Sequence, residues 1–548
     1  MFRKSNKEPQ LDLFGSFSNI LDGRSFDQYS DAHHWHNQFR TEIVSRVDES
    51  IFKVLFSETM GAPNASVSVL IGMMCLKEGF GWSDAQLFEQ CRFNLLVRSA
   101  LGLFNLNDSV PTESTYYLFR QRIYEYQRHG GEDLLQRSFV SITRQQVKEY
   151  NVNGRRIRMD SKLIGSNIAY FSRYEIIHHS LIAFYKSLTR RQRALLRVQD
   201  VTQLSELASE EPGKTMYYSS QEEIKTRMES LGLLLYQLIR IFAGQESESY
   251  RLLVRVFQEQ YRVVEEEKVL LRPKEEIASD SLQSPHDPDS AYRHKQDQKI
   301  KGYTVNLTET ISQDSLNLIT NVLVEKANVS DVEFVQPAIE QSITVTDQPV
   351  ETVYVDGGYQ SPDNDEFCQN IDMVYTGLQG TTSRYDLEMT PEGLLVTDTQ
   401  TGQFYRGRLA KKIKTSKEDR WVIDTDKARV YFSQQAIRAS HLRREVQRRS
   451  KEERNQRNNI EATIFQLGYH LGNNKSKYRG LIKHKIWAIC RSLWINLVRI
   501  TNFLKETYPR TIVGRINTVN ISRFAWCSDL ISTINWRKSP EVEMRLLS

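Results

Sequence analysis

The VYVDGGY stretch at residues 353–359 places the tightest constraint on how this chain folds. Its first three residues are apolar or aromatic, and two of them are β-branched, a pattern that favours a strand buried inside a sheet. The two glycines after Asp356 permit a sharp turn. Asp356 therefore directly follows a buried strand, where a carboxylate is costly unless it holds something such as a cation. We expect the rest of the chain to supply partner acids.

Composition limits the classes of protein to which the chain can belong. The 548 residues suffice for more than one domain, and 39% hydrophobic with 26% charged residues is typical of a soluble globular protein. A net charge of +5 is only mildly basic, so nucleic-acid binding would have to depend on local clusters of lysine and arginine. The five cysteines form no CxxC pair, which argues against a disulfide framework or a cysteine zinc site and favours a reducing cytoplasm. The start of the chain lacks an apolar signal core, and no uncharged apolar run is long enough to span a membrane.

Periodic apolar residues predict a helical region at the start of the chain. They recur every fourth position from Phe39 to Leu55, which predicts one amphipathic helix. Further helices are expected at 67–75, at 87–103 and after Pro111. The region is interpreted either as a structural unit or as a module for DNA-end binding or dimerisation.

A second acid lies in the RRIRMDSK stretch at 155–162, where basic and apolar residues alternate as in a strand with one buried face. The alternation ends at Asp160, which predicts an acid at or near the end of that strand. A mainly helical insertion follows, and then a strand at 302–310, its hairpin partner at 316–324 and a helix at 332–343. These elements lead to the strand before Asp356.

The third acid, Glu461, lies in the last part of the chain. After a small β insertion at about 383–432, one long helix is predicted, with an apolar stripe from Ile460 to Leu471 and Glu461 beside that stripe. Arginines greatly outnumber acids in the first half of this helix, and Arg457 lies one turn before Glu461 on the same face. Such a charge run is usually a solvated face. A mostly apolar helix at 481–504 is expected to pack on the sheet.

Asp160, Asp356 and Glu461 together predict a metal site. Adjacent parallel strands would bring the two aspartates close together, and a helix packed across the sheet could add the glutamate. Three crowded carboxylates would not all ionise without a neutralising cation. Oxygen ligands without histidine or cysteine select a hard cation, Mg²⁺ or Mn²⁺, and two such ions are the usual clamp for a phosphoryl transfer. Taken singly, each acid is more often a capping or ion-paired carboxylate.

The sequence with these three acids resembles the bacterial insertion-sequence transposases of the DDE class, whose catalytic core is ribonuclease-H-like. The resemblance covers roughly residues 60 to 500, and it is specific as an ordered set rather than in any one part. The segments that carry it are PTEST at 111–115 with FRQR at 119–122, MDSK at 159–162, DPDSA at 287–291 with Lys295 and Gly302-Tyr303, VDGGY at 355–359, RNNIE at 457–461 and YRG at 478–480.

The resemblance implies that Asp160, Asp356 and Glu461 hold two Mg²⁺ or Mn²⁺ ions. A metal-activated water would cut the strand at the end of the element, and the freed 3′-hydroxyl would attack target DNA. It also implies that Arg457 contacts a phosphate or positions Glu461, and that Tyr359 and Lys295 brace DNA or the site. The DNA-binding candidates, taken with the basic clusters, are Arg448, Arg449, Arg454, Arg457, Arg479, Lys295, Tyr359, Lys411 and Lys412.

One position departs from the family pattern. Related enzymes often carry a lysine two turns after the glutamate, where this chain has Gly468 and Tyr469. Either Lys475 or Lys477 substitutes for it, or the phosphate contact comes from elsewhere. Trp421 in the β insertion is interpreted as a core residue in preference to one that stacks on a flipped base.

The predicted fold class is α/β, a ribonuclease-H-like mixed sheet with added helical and β-rich parts. The segments are an N-terminal helical domain at 1–150, the first core strand with Asp160 at 151–168, a mainly helical insertion at 169–294, the continued core with Asp356 at 295–375, a β-rich insertion at 376–433, core helices with Glu461 at 434–510 and a C-terminal tail at 511–548.

The predicted function is a DNA transposase that binds terminal inverted repeats, cleaves the ends and joins them to target DNA. The alternatives are a ribonuclease-H-like nuclease without strand transfer, and a DNA-binding protein derived from a transposase that has lost catalysis. Double-stranded DNA, as element ends and as target, is the expected partner. A homodimer on DNA is expected because two ends must be paired, and the expected location is the bacterial cytoplasm, at the nucleoid.

Overall fold

A computed structural model describes residues 1–5, 12, 14–264, 268–295, 298–312, 316–377, 384–410, 420–426 and 428–507. The chain divides into two compact units, Met1–Phe503 and Leu504–Ser548. Among the helices within the described ranges, none combines the length and apolar character needed to cross a membrane.

The N-terminal region is helical, as predicted, but its helices are shorter than the apolar periodicity suggested. The α-helices described before residue 150 are α1 (Phe17–Ile20), α2 (Gly23–Ser30), α3 (Trp35–Glu42), α4 (Val67–Phe80), α5 (Asp84–Phe93), α6 (Leu95–Ala100), α7 (Glu113–Arg128) and α8 (Leu134–Glu149).

Two of the predicted N-terminal helices are wrong as continuous elements. The expected helix from 39 to 55 ends with α3, and 3₁₀ turns follow at Val44–Arg46 and Glu49–Leu55. The Asp48 side chain causes the second break, since it accepts the Ser50 N–H and so starts a new turn. The expected helix from 87 to 103 breaks at Asn94, whose side chain caps α6 in the same way. Apolar spacing continues past the end of α3 because a 3₁₀ turn has nearly the same period as an α-helix.

The rest of the first unit alternates between sheet and inserted elements. In chain order these are β1 (Arg156–Gly165), α9 (Arg173–Ser187), α10 (Arg190–Arg193), α11 (Val198–Ser209), α12 (Pro212–Tyr218), α13 (Gln221–Ile241), α14 (Glu248–Gln260), β2 (Tyr261–Val264), β3 (Lys268–Leu271), β4 (Ala291–Lys295), β5 (Gln298–Thr310), β6 (Ile319–Lys326), α15 (Val335–Thr346), β7 (Thr352–Val355), α16 (Pro362–Phe367) and β8 (Asp372–Tyr375). There follow β9 (Tyr385–Thr390), β10 (Gly393–Asp398), β11 (Phe404–Leu409), β12 (Arg420–Asp424), β13 (Arg429–Ser433), α17 (Gln434–Arg448), α18 (Lys451–Asn455), α19 (Asn459–Leu467) and α20 (Leu481–Thr507).

The predicted long helix after the β insertion is also wrong as one element. Ser450 ends it after α17, because its side chain accepts the Glu453 N–H and begins α18. A 3₁₀ turn at Gln456–Asn458 then leads into α19. The predicted β insertion is present as a five-stranded sheet in the order β13-β12-β11-β10-β9.

The central sheet is mixed, which confirms the broader α/β prediction. Its path is β4-β5-β1-β7-β8, and β6 pairs with β5. β1 runs antiparallel to β5 and parallel to β7, and β7 runs parallel to β8. The strand that carries Asp160 therefore lies beside the strand that precedes Asp356, as predicted. In the register, Arg158 lies opposite Tyr354, two residues before each aspartate.

Helices cover both faces of this sheet. On one face, α15 packs over Ile157 and Met159 of β1 and Val353 of β7. The opposite face of β1 and β5 belongs to a large cluster that also contains α20 and the N-terminal helices. Trp494 of α20 packs against Phe39 at 6.0 Å between ring centroids. The N-terminal helices and the sheet thus share one hydrophobic core.

Candidate active site

The three predicted acids meet around one guanidinium. Arg457 Nη2 lies 2.7 Å from Asp160 Oδ2 and 3.8 Å from Asp356 Oδ2, while Arg457 Nη1 donates to Glu461 Oε1 at 3.1 Å. Arg457 is therefore the centre of the cluster in this conformation. Arg457 was expected to contact a phosphate or to position Glu461, and the structure shows its hydrogen bond to Glu461.

Strand register and a helical turn hold these side chains in place. Asp356 is the first residue after β7, and its Oδ1 accepts the Gly358 N–H at 2.8 Å, which fixes the turn that follows. Asp160 lies in the middle of β1, so the prediction that it ends a strand is wrong. Pairing with β5 carries β1 on to Gly165, and this long-range partner is invisible in the local alternation. Glu461 and Arg457 lie one turn apart, in the first turn of α19 and in the 3₁₀ turn before it.

Burial and the Arg457 guanidinium act on the pKa of Asp160 in opposite directions. Burial raises the pKa of Asp160, and Arg457 opposes that rise. Burial also lowers the pKa of Arg457, but Asp160, Asp356 and Glu461 together raise it above its ordinary value. The site is graded in exposure, because the side chain of Asp160 is 13% exposed and that of Glu461 is 63% exposed. The cluster holds three carboxyl groups around one guanidinium.

The carboxylate oxygens of the three acids suit a hard cation, but the positions of the side chains in this conformation do not form a complete set of ligands. Asp160 and Asp356 converge on one guanidinium nitrogen, and their oxygens are the ligand type that Mg²⁺ and Mn²⁺ prefer. Within the ranges that the structure describes, no three histidine, cysteine, aspartate or glutamate side chains lie close enough to hold an ion together. Glu461 is bound to Arg457, so it would have to turn toward the aspartates to complete a set of three.

A buried carboxylate that the sequence analysis missed anchors the helix of Glu461. Glu309 of β5 is fully buried and accepts from Arg158 Nε at 2.5 Å, Arg499 Nη2 at 2.7 Å and Thr463 Oγ1 at 2.7 Å. Burial alone would raise the pKa of Glu309, but Arg499 and Arg158 hold it below its ordinary value. Because Thr463 belongs to α19, this network ties the helix to β1, β5 and α20. The available signal was a glutamate in the otherwise interior-looking strand at 302–310.

Arg158 extends the network to the turn that carries Arg457. Its Nη1 donates to the carbonyl oxygen of Gln456 at 3.0 Å, directly before Arg457. Arg158 and Asp160 lie on the same face of β1, since they are two residues apart on a strand. One face of β1 thus holds both the acid and the arginine that positions its guanidinium partner.

Lys162 is the next residue on that face, and its sequence context predicts no role for it. Its side chain is half-buried, and burial lowers the pKa of its ammonium group. Its Nζ would lie 2.7 Å from a Cβ atom placed on Gly468, at the end of α19. The face of β1 that meets α19 therefore runs from Arg158 through Asp160 to Lys162.

Tyr359 is fully buried, so it does not face DNA in this conformation. Its hydroxyl oxygen accepts from Asn306 Nδ2 at 2.7 Å, and burial, followed by the nearby Asp160, raises its pKa well above the ordinary value. The expectation that Tyr359 braces DNA or the site stays a prediction. Lys295, the other residue of that prediction, is exposed at the end of β4.

The predicted DNA-binding arginines are mostly engaged within the chain. Arg449 pairs with Asp372 and with Glu453, and Arg448 Nη1 lies 2.8 Å from Glu445 Oε1. Arg479 Nε donates to a backbone carbonyl at 2.6 Å, and Arg454 is half-buried with an Nε that lacks a hydrogen-bond partner among the described residues. DNA would have to compete with these acids for Arg448 and Arg449. Lys411 and Lys412 lie outside the described residues.

Two other segments of the resemblance have structural roles. Asp287, at the turn before β4, is 1% exposed and accepts from the Tyr303 hydroxyl at 2.6 Å. Tyr478 donates its hydroxyl to Glu78 of α4, which links the loop before α20 to the N-terminal helices. Trp421 packs against the core of the β insertion, in agreement with its interpretation as a core residue.

Comparison with known proteins gives one match. Residues 26–122, from within α2 to within α7, match the family model described as Transposase domain (DUF772). No curated protein and no solved structure gave a significant match to the chain. The family match supports a transposase, and it lies in the N-terminal helices rather than in the segments that carry the acids.

Proposed function

We propose that this chain is a DDE-class DNA transposase that binds the terminal inverted repeats of an insertion sequence, cleaves the DNA ends and joins their 3′-hydroxyls to target DNA. The observation that carries this proposal is the meeting of Asp160, Asp356 and Glu461 around Arg457 in a chain whose residues 26–122 match a transposase domain. The three acids come from distant parts of the sequence, and they share the Arg457 guanidinium as a partner at one partly exposed point.

The sheet topology supports a ribonuclease-H-like core for this reaction. The order β6-β5-β1-β7-β8 has an antiparallel half, β6-β5-β1, and a parallel half, β1-β7-β8. The aspartates lie on the two strands where the halves meet, β1 and the end of β7. Ligand sites of open α/β sheets commonly occur where strand order reverses, because the loops there diverge and leave a crevice.

Asp160, Asp356 and Glu461 would hold two Mg²⁺ or Mn²⁺ ions, which when bound would activate the attacking oxygen and stabilise the leaving oxygen of the phosphoryl transfer. The aspartates are already placed by strand register, so their share of the site is preorganised. The Glu461 side chain is long and largely exposed. Its carboxylate can therefore reach the aspartates by rotation about its own side-chain bonds, without movement of α19.

Arg457 acts in this proposal as the counter-charge of the acids. In the absence of another cation it limits the repulsion among three carboxylates, and its ion pairs hold Glu461 near the aspartates. When DNA is bound, the same guanidinium is within reach of a phosphate at the acids. A planar guanidinium can hold two oxygens at once, so it can pass from carboxylate to phosphate with little cost in side-chain order.

Cleavage of an element end tests the proposal. The probe is a labelled duplex that carries the terminal inverted repeat found in the DNA flanking the gene, incubated with full-length protein and Mg²⁺. We expect the wild type to nick the duplex at the repeat boundary and to join a pre-cleaved end to a target plasmid. Asp356→Ala should lose both activities and still bind the duplex in a gel shift.

A matched control separates loss of the site from loss of an acidic side chain. Asp363 lies in the first turn of α16, is exposed and is a few residues from Asp356, so Asp363→Ala should cleave and join like the wild type. Cleavage by Asp356→Ala would refute the three-acid mechanism. Cleavage without joining by the wild type would make the chain a nuclease, and binding without either reaction would make it a transposase-derived DNA-binding protein.

A further inference from the structure

Lys162 is a half-buried cation beside the three acids. In the part of the chain that the structure describes, its ammonium group makes neither a hydrogen bond nor an ion pair. Its neighbour across the strand pair is Val305, which is fully buried and apolar. Partial removal of an ammonium from water costs free energy that an anionic or hydrogen-bonding partner normally offsets. The described residues do not supply that partner in this conformation.

The end of α19 is shaped around this ammonium group. A Cβ atom on Gly468 would lie 2.7 Å from Lys162 Nζ and 3.0 Å from its Cε. The backbone does not require glycine here, because φ of Gly468 is −87° and any residue adopts that value. Gly468 therefore leaves space that the Lys162 side chain fills.

Lys162 also faces the same way as the acids. It lies two residues after Asp160, so both side chains project from the same face of β1, about 6.5 Å apart along the strand. The lysines that the sequence analysis offered for a phosphate contact are held elsewhere. Lys475 Nζ donates to Ile168 O at 2.7 Å, and Lys477 Nζ donates to Gly81 O at 3.3 Å.

We propose that Lys162 binds a backbone phosphate of the DNA strand whose neighbouring phosphate lies at Asp160, Asp356 and Glu461. This assignment rests on the proposed transposase function, and it names a substrate contact within that site. The contact is a charge-assisted hydrogen bond from a partly desolvated ammonium group, which is stronger than the same contact on an exposed surface. It would place the strand relative to the acids without taking part in bond breaking.

The test compares variants of Lys162 in the cleavage assay with the element-end duplex and Mg²⁺. Lys162→Met keeps most of the side-chain length and removes the charge, so we expect the cleavage rate to fall about tenfold to hundredfold, because a strand displaced by about 1 Å at the acids can lose about a hundredfold in rate. In a gel shift, log K against log salt should lose about one unit of slope, the signature of one lost phosphate contact. Lys225→Ala, on the exposed face of α13, is the matched control and should leave both quantities unchanged.

A second arm moves the charge to the facing helix. In Lys162→Ala/Gly468→Lys, an ammonium group re-enters the same space from α19, since the short side chain now at position 162 no longer fills it. We expect this double variant to cleave at least tenfold faster than Lys162→Ala. If Lys162 had a role in packing alone, the rate would not recover.

The outcomes separate this inference from the proposed function. If the wild type cleaves, Asp356→Ala does not, and Lys162→Met cleaves within twofold of the wild type with an unchanged salt slope, the inference is overturned and the three-acid site stands. If Lys162→Met is inactive but the charge relocated to position 468 restores nothing and the salt slope is unchanged, Lys162 is a packing residue and the inference also fails. If the wild type neither binds nor cleaves the duplex, the proposed function itself is refuted.

Discussion

Replacement of Glu309 by Gln tests whether the buried network, rather than α19 alone, supports the site. The carboxylate has no exposed surface and accepts from Arg158, Arg499 and Thr463 at 2.5 to 2.7 Å. An amide of the same shape removes the charge that compensates two guanidinium groups and turns one acceptor into a donor that faces donors. Loss of one partner of a buried ion pair typically costs about 3–5 kcal/mol.

This cost converts to a measurable shift in the unfolding temperature. The unit from Met1 to Phe503 holds 503 residues, and about 2.1 cal/mol/K of unfolding entropy per residue gives roughly 1 kcal/mol/K for the unit. Glu309→Gln should therefore lower the midpoint by about 3–5 °C in differential scanning calorimetry at pH 7. Amide hydrogen exchange should increase first in α19, since Thr463 loses its acceptor.

The pH dependence gives an independent check with a defined sign. The folded state holds the pKa of Glu309 below its ordinary value of 4.5, so its charge adds stability above that value. The stability of the wild type relative to Glu309→Gln should decrease as pH falls below 4.5 toward the lower folded-state pKa of Glu309. In that range the carboxylate becomes protonated and resembles the amide. The difference in midpoint between wild type and Glu309→Gln is the quantity to follow, because other titrating groups are common to both proteins.

The control is Glu325→Gln on the neighbouring strand β6. Glu325 is 41% exposed and lies 3.7 Å from Lys485, and a surface pair of this kind contributes at most about 1 kcal/mol. A midpoint for Glu309→Gln within 1 °C of the wild type, or a difference that stays constant into acid, would show that the network is not the support described above.

Three further predictions follow from the same structure. Gly79→Ala should lower the midpoint by about 1–3 °C, because its methyl group would overlap the Trp494 ring and overpacking costs about 1–3 kcal/mol; an unchanged midpoint would contradict the tight packing of α4 on α20. Millimolar Mg²⁺ should raise the midpoint of the wild type but not of Asp160→Asn in a thermal-shift assay, and equal shifts would argue against Asp160 as a ligand. Tyr359→Phe should cost about 1–3 kcal/mol in urea unfolding, because it leaves the buried Asn306 amide without its acceptor. Element-end binding should stay at the wild-type level, and weaker binding would restore a direct DNA role for Tyr359.

The parts of the fold that were predicted correctly depend on local patterns. A short apolar strand with an acid and two glycines after it is recognisable as β7 because every residue in it favours the same outcome. The parallel placement of β1 and β7 is predictable because two acids at or near the ends of strand-like segments indicate one shared edge of a sheet. The prediction of one helix from 39 to 55 is wrong because apolar spacing registers neither the change to 3₁₀ turns after Glu42 nor the Asp48 side chain that caps the second of them.

The parts that were missed depend on partners far away in the sequence. Asp160 is in mid-strand because β5, about 150 residues later, extends the pairing to Gly165. Glu309 is a buried network centre because its three donors come from β1, α19 and α20. Nothing in the local sequence around Lys162 marks its fit against Gly468, which is 306 residues away in the numbering. The local sequence pattern identifies each of these charged residues, but it does not identify the distant residues that surround its side chain in the fold.

The backbone positions around the site are fixed by the sheet and the buried network, whereas two of its side chains are long enough to change position. Asp160 and Asp356 are placed by strand register, and the first turn of α19 is tied down through Thr463 and Glu309. Glu461 and Arg457, in contrast, reach the centre through long side chains, and that of Glu461 is 63% exposed. A change from the ion-paired arrangement around Arg457 to one in which Glu461 joins the aspartates thus requires rotation of two side chains rather than a shift of the helix. Because a side-chain rotation is fast compared with backbone rearrangement, the mechanism proposed above implies that assembly of the site is limited by the arrival of DNA and cation and not by the protein.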